Sequence, residues 1–565
     1  MSDLPYDFDR YLDHEQLTAW LQTMADTHSH LVSLESYGRS HEGRELWLVT
    51  VTDRSTGEPQ DKPAHWTDAN IHATELTGGV AALFLVHHLV ERYAAGEAAV
   101  VEALRTRTFY VAPRVNPDGV EAALATPPRL LRSSVRPWPW IDDHRWPGLH
   151  EEDVDGDGRI LHMRLADPDG AWMEHPEDAR VMVPVGPAGA PVGTTRYRLL
   201  SEGVLHDYDG FTVPTPRDPS GLDLNRNFPA GWGTEVAGAG DHPMSEPEID
   251  ALVRAVSSRT NVCSYNAFHT FGGVLLRPSS TKADSTLAPA DVWTWKELGR
   301  PGTELTGYRV HSVFEDFTWD KSATMSGAAD DWAYEHLGVY SWTTEFWDVI
   351  AAATGERAPT DIWYVGPTPE QELAVARWAD EHAPGAYVPW YPFEHPELGP
   401  LELGGADWLH VWSNPPTPLL RAEVAPHAQW AVHLALASPR LELLLADAEP
   451  LGDAADGLWR VRAGVANTGW LPTDVTKLAR KLRLVLPLMV EVTGEGATVV
   501  GSPARAKLAQ LEGRAAHRIG GWSPNDGTPD RVLHTWVVRA APGTEVTVSA
   551  AHPRAGRVAR SVRLG

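Results

Sequence analysis

The stretch HWTDANIHATELTGGVAALFLVHHLVERYA, residues 65–94, changes its pattern halfway along. HWTDANIHA reads as a short strand and TGGVAALFLVHHLVERYA as a long helix. Between them the chain turns through His72, Thr74 and Glu75, which puts an imidazole and a carboxylate where a strand hands over to a helix. Sites in open α/β sheets are built at such strand ends. Working outward, DHEQLTAWLQTMADTH reads as a helix and ELWLVTVT as a strand, while RTFYVAPRV, VCSYNAFHT and VYSWTTEFW are short apolar runs of the kind that form buried strands. The alternation predicts an α/β class with a mixed, largely parallel sheet flanked by helices. Ser245 and Glu248 in MSEPEIDALVRAV have capping-box spacing at a helix start, and PEQELAVARWADEH predicts a helix over 369–382.

From about residue 395 the texture changes. WAVHLALA, RLELLLADA, LWRVRAGVANTG and TEVTVSAAH read as short strands separated by Pro, Gly, Asn and Asp, which predicts an all-β sandwich. The expected domains are 1–395 and 396–565, divided near the proline-rich stretch 385–420. Residues 140–220, rich in Asp, Gly and Pro with little periodicity, read as a long insertion in the first domain.

The chain of 565 residues is long enough for two cores, and 42% hydrophobic content with 24 Trp supplies them. Its formal charge of -28 repels polyanions, so neither nucleic acid nor an anionic membrane is an expected partner. The start, MSDLPYDFDRYLDHEQ, lacks the basic and apolar regions of a secretory signal, and Cys263 is the single cysteine; a cytoplasmic, reducing location is the expectation. Cys263, in an apolar run, reads as a buried inert thiol.

His72 and Glu75 form His-x-x-Glu, which can supply two of the three protein ligands of a catalytic zinc. In a chain with 25 His the same spacing also arises as a solvent-facing pair. Further segments recur in order: RVNPDG at 114–119, LDLNRNFPAGW at 222–232, HPMSEPEI, SYNAFHT ending near His269, and DDWAYEHLGVYSWTTEF containing Glu345. Together with YGRSHEGRELWLVTVT they resemble the M14 family of metallocarboxypeptidases over residues 30–350. That resemblance implies one zinc per chain held by His72, Glu75 and His269, with Glu345 as the general base that takes a proton from water and passes it to the leaving amine. It also implies Asn225 and Arg226 gripping the free C-terminal carboxylate of a peptide or protein substrate, a task suited to a planar guanidinium. Arg132, in RLLRSSVR, falls on the oxyanion-stabilising arginine, with Arg164 as runner-up. Asp330 falls on a position that sets side-chain preference, where an acid favours C-terminal Lys or Arg; helix capping is the alternative.

Three features depart from the family pattern. Ala323 stands where many members carry a substrate-closing tyrosine, so that either another aromatic such as Trp319 or Tyr334 substitutes or the lid contact is absent. Thr74 stands where digestive members carry an arginine. In DVDGDGRI, Asp153, Asp155 and Asp157 have calcium-ligand spacing, but Arg164 occupies the twelfth position where an EF-hand has Glu, so a simpler calcium site and an Asp-Gly turn are both open. The expected activity is zinc carboxypeptidase. The alternatives are a peptidoglycan or γ-D-glutamyl peptide amidase with the same site, and a catalytically weak peptide-binding protein. His395, His427 and His433 are scattered, and the sequence says nothing about oligomeric state.

Overall fold

The computed structural model describes residues 6–138, 145–216, 221–318, 325–360, 365–516 and 526–565. Its main sheet has eight strands in the order Val32–Arg39, Glu45–Val51, Thr108–Ala112, Ala64–Ala69, Val262–Thr270, Tyr340–Phe346, Val274–Arg277, Arg309–Ser312. The four central strands run parallel to one another. Antiparallel pairs extend the sheet on both sides. Ala64–Ala69, Thr108–Ala112 and Val262–Thr270 are buried along their whole length, which is why they read as continuous apolar runs. Helix Leu76–Ala94 is buried on nearly every face, with Leu420–Ala437 packed against it.

Two helix starts follow the capping logic, with Asp13 paired to Gln16 and Thr368 to Gln371. The expected box of Ser245 and Glu248 does not form. Glu246 is the N-cap of Pro247–Ser258, Ser245 donates to the Glu246 carboxylate, and Glu248 accepts the His41 amide at 2.7 Å. A tertiary hydrogen bond outcompetes the local one.

WAVHLALA, expected as a strand, is the last part of helix Leu420–Ala437. Trp430, Ala431, Val432, Leu434, Ala435 and Ala437 are all buried, so the segment lacks the polar stripe that marks a surface helix. The Arg107 guanidinium caps its last turn through the Ala435 and Ser438 carbonyls at 3.1 Å each. This helix packs on Leu76–Ala94 of the α/β core, and the next strand begins at Leu441.

From there two four-stranded antiparallel sheets face each other over a core of Trp459, Val461, Trp536, Val490 and Val548, an all-β sandwich as expected. The stretch 140–220 is not simply a loop. Its strands His162–Ala166, Trp172–His175, Asp178–Pro184 and Tyr197–Ser201 join Tyr387–His395 and Gly399–Ala406 in a six-stranded sheet. Among the described residues no helix is long and apolar enough to cross a membrane.

Candidate active site

The central parallel strands all deliver side chains to one edge of the sheet. After Ala64–Ala69 the chain reverses at Asn70, in the left-handed region at φ 55°, and the Asn70 amide donates to the Glu75 carbonyl at 2.6 Å. This closes the loop that carries His72 and brings Glu75 to the N-cap of the long helix. The helix can lie so close to the next strand because residue 78 is glycine: a Cβ there would sit 2.8 Å from the Phe268 carbonyl oxygen. Asn414, remote in sequence, braces the same turn by accepting from the Thr77 amide at 3.0 Å and donating to the Thr74 carbonyl at 2.8 Å.

His72 Nδ1 lies 2.7 Å from Glu75 Oε1, His269 Nδ1 lies 2.8 Å from Glu75 Oε2, and the two Nδ1 atoms are 3.1 Å apart. All three residues are buried. Burial alone would raise the Glu75 carboxyl, but His72 and His269 outweigh it and hold the carboxylate ionised. His72 Nε2 lies 3.0 Å from Asp223 Oδ1, and with the ring proton on Nε2 that carboxylate accepts it and leaves the Nδ1 lone pair for a cation. These atoms converge more closely than ligands about 2.0–2.1 Å from a tetrahedral zinc, which stand about 3.3–3.4 Å apart, so a bound ion would spread them slightly. The donor set, two imidazoles and a carboxylate, is that of a catalytic zinc.

Asp223 was not among the expected site residues. It also pairs with Arg132 Nε at 3.3 Å, and its Oδ1 accepts the Asn225 amide at 2.9 Å, so one carboxylate orients a histidine, an arginine and the loop that bears Arg226. The sequence signal for it was an acid two residues before Asn225. Replacing it with Asn removes the charge that fixes the His72 proton, and Asp223→Asn should weaken zinc affinity about 10–100-fold, measured by competition with a chelator.

Arg132 is half exposed and also approaches Glu75 at 3.6 Å. Its segment is anchored on both sides: the Ala73 amide donates to the Arg132 carbonyl, and Ser133 Oγ bridges the Ile71 carbonyl and the Leu224 amide. Glu345 sits directly opposite His269 in the register of two parallel strands. Burial pushes its carboxyl up to about 8, with His269 and Arg132 pulling the other way. Arg226 donates to the Asn225 carbonyl at 2.7 Å and, among the described residues, makes no ion pair; Asn225 Oδ1 accepts the Ala329 amide at 2.9 Å.

A cleft of about 260 Å³ is lined by His72, Glu75, His269, Arg132, Glu345 and both clamp residues, with Asp330 on the same wall system. Leu276, Val313, Phe317 and Met325 give that end of the cleft an apolar side, none of it foreseen from the sequence. Burial raises both Asp330 and Asp331, the latter to about 8, and Asp331 accepts the Ser280 amide while Asp330 accepts the Asp331 amide. Two adjacent buried carboxyl groups resist sharing two negative charges.

Arg164 is not in the cleft. It pairs with Glu402 at 2.8 Å and Glu174 at 2.9 Å in the six-stranded sheet. Tyr334, one candidate lid aromatic, packs on Trp295 and donates to Asp291 at 3.0 Å, away from the cleft; Trp319 and Ala323 lie outside the described residues. Asp153, Asp155 and Asp157 do come together. Their oxygens, however, accept the Gly156 and Gly158 amides, the Asp157 amide and the Tyr391 hydroxyl, which accounts for the Asp-Gly turn without a cation.

A zinc carboxypeptidase model, Peptidase_M14, matches residues 17–139 and 163–354. Residues 440–563 match a domain of unknown function, DUF8731. Carboxypeptidase B of Astacus astacus is 24% identical over 348 residues, 60% of this chain and 88% of that protein. Carboxypeptidase A6 of Homo sapiens is 23% identical over 361 residues, 61% of each chain. Among solved structures, thrombin activatable fibrinolysis inhibitor superposes with a TM-score of 0.43 at 17% identity, covering 76% of this chain and 75% of the other.

Proposed function

Because this chain belongs to the zinc carboxypeptidase family, we propose that it removes single residues, preferentially Lys or Arg, from the free C-termini of peptides or proteins. The observation that carries the reading is the cleft itself, which brings Arg226, without an ion pair among the described residues, together with the imidazole–carboxylate trio and with Glu345 on the strand beside that of His269.

His72, Glu75 and His269 would hold the zinc. When bound, zinc polarises a peptide carbonyl and lowers the pKa of a water. Arg226 takes the terminal carboxylate in a bidentate grip, with Asn225 beside it. This end-recognition makes the enzyme an exopeptidase. Glu345, as carboxylate, removes a proton from the attacking water and returns it to the amine nitrogen as the C–N bond breaks. Arg132, flexible enough to be half exposed yet tethered by Asp223, faces the charge that develops on the carbonyl oxygen.

The preference follows from the wall. The alkyl stem of Lys or Arg packs on Leu276, Val313 and Met325, and its cation supplies the countercharge that the Asp330–Asp331 pair lacks. Asp330→Ala should lower the ratio of kcat/KM for C-terminal Lys over Phe by about 10²-fold, the usual cost of stripping a buried charge of its partner. An unchanged ratio rules out Asp330 as the selector. The activity itself is tested by incubating paired peptides, one with a free C-terminus and one amidated, with zinc-loaded enzyme. Release of one residue from the free acid alone, stopped by chelation and restored by zinc, is the expected result. Cleavage of the amide, or of internal bonds, refutes the reading.

A further inference from the structure

A second cavity of about 300 Å³ opens beside the catalytic cleft, between the six-stranded sheet and the turn Trp408–Ser413. Its walls include Trp172, Met182, Leu199, Trp390, Trp408 and Trp412. Trp390, Trp408 and Trp412 lie beyond the end of the family match at 354.

The two spaces are joined by aromatic contact. Phe271, which lines the catalytic cleft, meets Trp408 edge-on with ring centroids 5.6 Å apart, and Trp408 stacks on Trp412 at 5.4 Å and 6°. Those two steps match about three residues of extended chain at 3.3–3.6 Å each. The direction is also set. Asn225 and Arg226 pack against residues 327–330, through the Ala329 amide and the close approach of Gly327 to the Arg226 backbone, whereas Phe271 follows His269 and Thr270. A peptide whose C-terminus is held by the clamp therefore runs past the zinc ligands and leaves over Phe271.

The cavity is preformed. The Arg164 guanidinium lies 4.5 Å from the Trp390 ring centroid and is itself held by Glu402. The Trp390 backbone comes so near Gly404 that a Cβ there would be 3.0 Å away. Trp412 Nε1 donates to the Tyr387 hydroxyl at 3.0 Å, and that hydroxyl donates to Glu372 at 2.9 Å. Trp390 Nε1 is buried and, among the described residues, has no hydrogen-bond partner. A large apolar side chain of a peptide fills walls of this kind.

We propose that this cavity is an upstream subsite, taking an aromatic or large apolar side chain about three to five residues before the scissile bond, with Trp408 and Trp390 as its specificity-determining residues. The idea rests on the carboxypeptidase reading for the direction of the peptide. Its test uses zinc-loaded enzyme and hexapeptides of glycine ending in Ala-Lys, with one Trp moved through the upstream positions, beside a blocked dipeptide too short to reach the cavity. One register should exceed the all-glycine peptide in kcat/KM by about tenfold or more, the scale of discrimination by an apolar pocket. Trp408→Ala, at a residue 43% exposed whose loss leaves the core intact, should erase that gain and leave the dipeptide rate unchanged; Trp390→Ala should do the same. The same hexapeptides titrated into Glu345→Gln by calorimetry should show the same register in affinity. Equal values in every register, or a gain that survives in Trp408→Ala, overturns the subsite. If no dipeptide is cleaved, the carboxypeptidase reading fails instead, and the calorimetric series still decides whether the cavity selects a side chain.

Discussion

Glu345→Gln should lower kcat/KM by about 10³-fold on a peptide ending in Lys while leaving KM and zinc content near those of the parent enzyme. The scale is that of a positioned general base. The amide keeps the size of the carboxyl and its place opposite His269 in the strand register, so the cleft stays shaped. What is lost is the ability to take a proton from water and hand it to the departing amine. An unaltered KM separates this from a binding defect, because an interaction made only in the transition state lowers kcat and kcat/KM together.

The pH profile carries a second reading of the same group. Burial pushes Glu345 up to about 8, His269 and Arg132 draw it down, and Glu75 and Asp330 push it up again. A bound dication would draw it down further. Since the base works only when ionised, activity must fall as pH drops through the value Glu345 has in the loaded enzyme. Removing a cation that favours the carboxylate should move that acidic limb towards higher pH, so Arg132→Ala should shift it upward relative to the parent. A limb that stays in place in Arg132→Ala, with Glu345→Gln retaining activity, would assign the proton transfer to another group.

Much of the α/β core was legible because its strands are buried on both faces and its helices are bounded by turn residues. VCSYNAFHT and VYSWTTEFW lie next to each other and in parallel, and His269 and Glu345 fall side by side because of it. The same criterion misled at WAVHLALA, where the last two turns of the helix are apolar but for His433, and where such a run fits a strand equally well. The insertion strands escaped notice for the opposite reason. Asp178–Pro184 and Tyr197–Ser201 are short, half-exposed and separated by Pro and Gly, and the sheet they enter is completed by Gly399–Ala406, which pairs with His162–Ala166, and by Tyr387–His395, both remote in sequence. In the site, residues with local signatures were legible. Asp223 acts on His72, 151 positions away, with only its place two residues before Asn225 to mark it, and Asn414 acts on Thr77 at a separation of 337 with no local pattern that announces it.

Asp291 is one buried carboxylate that ties the β-sandwich to the catalytic domain, and Asp291→Ala should destabilise the whole protein by about 3–5 kcal/mol, the range for breaking a buried, hydrogen-bonded charge network. Asp291, 1% exposed, accepts the hydroxyls of Tyr334 and Tyr340 at 3.0 and 3.1 Å and the amides of Lys477 and Leu478 at 2.8 and 3.1 Å. Alanine strands all of these donors in a dry interface, and each unpaired donor costs about 1–3 kcal/mol before relaxation. Thr476 and Arg554 of the sandwich donate to the Gly338 carbonyl at 3.0 and 3.1 Å, and a Cβ on residue 338 would lie 2.6 Å from that of Ala479. The segment held in this way, 333–340, joins Asp330 and Asp331 to the strand that carries Glu345. Loosening it should therefore cost selectivity as well as stability. Chemical denaturation of Asp291→Ala should show the loss, and its Lys-over-Phe ratio should fall alongside. Asp291→Asn, which keeps the shape but presents an amide that donates on one side, should lie between the two. A loss below 1 kcal/mol in Asp291→Ala, with the ratio intact, would mean that the sandwich merely rests against the enzyme and leaves segment 333–340 to its own packing.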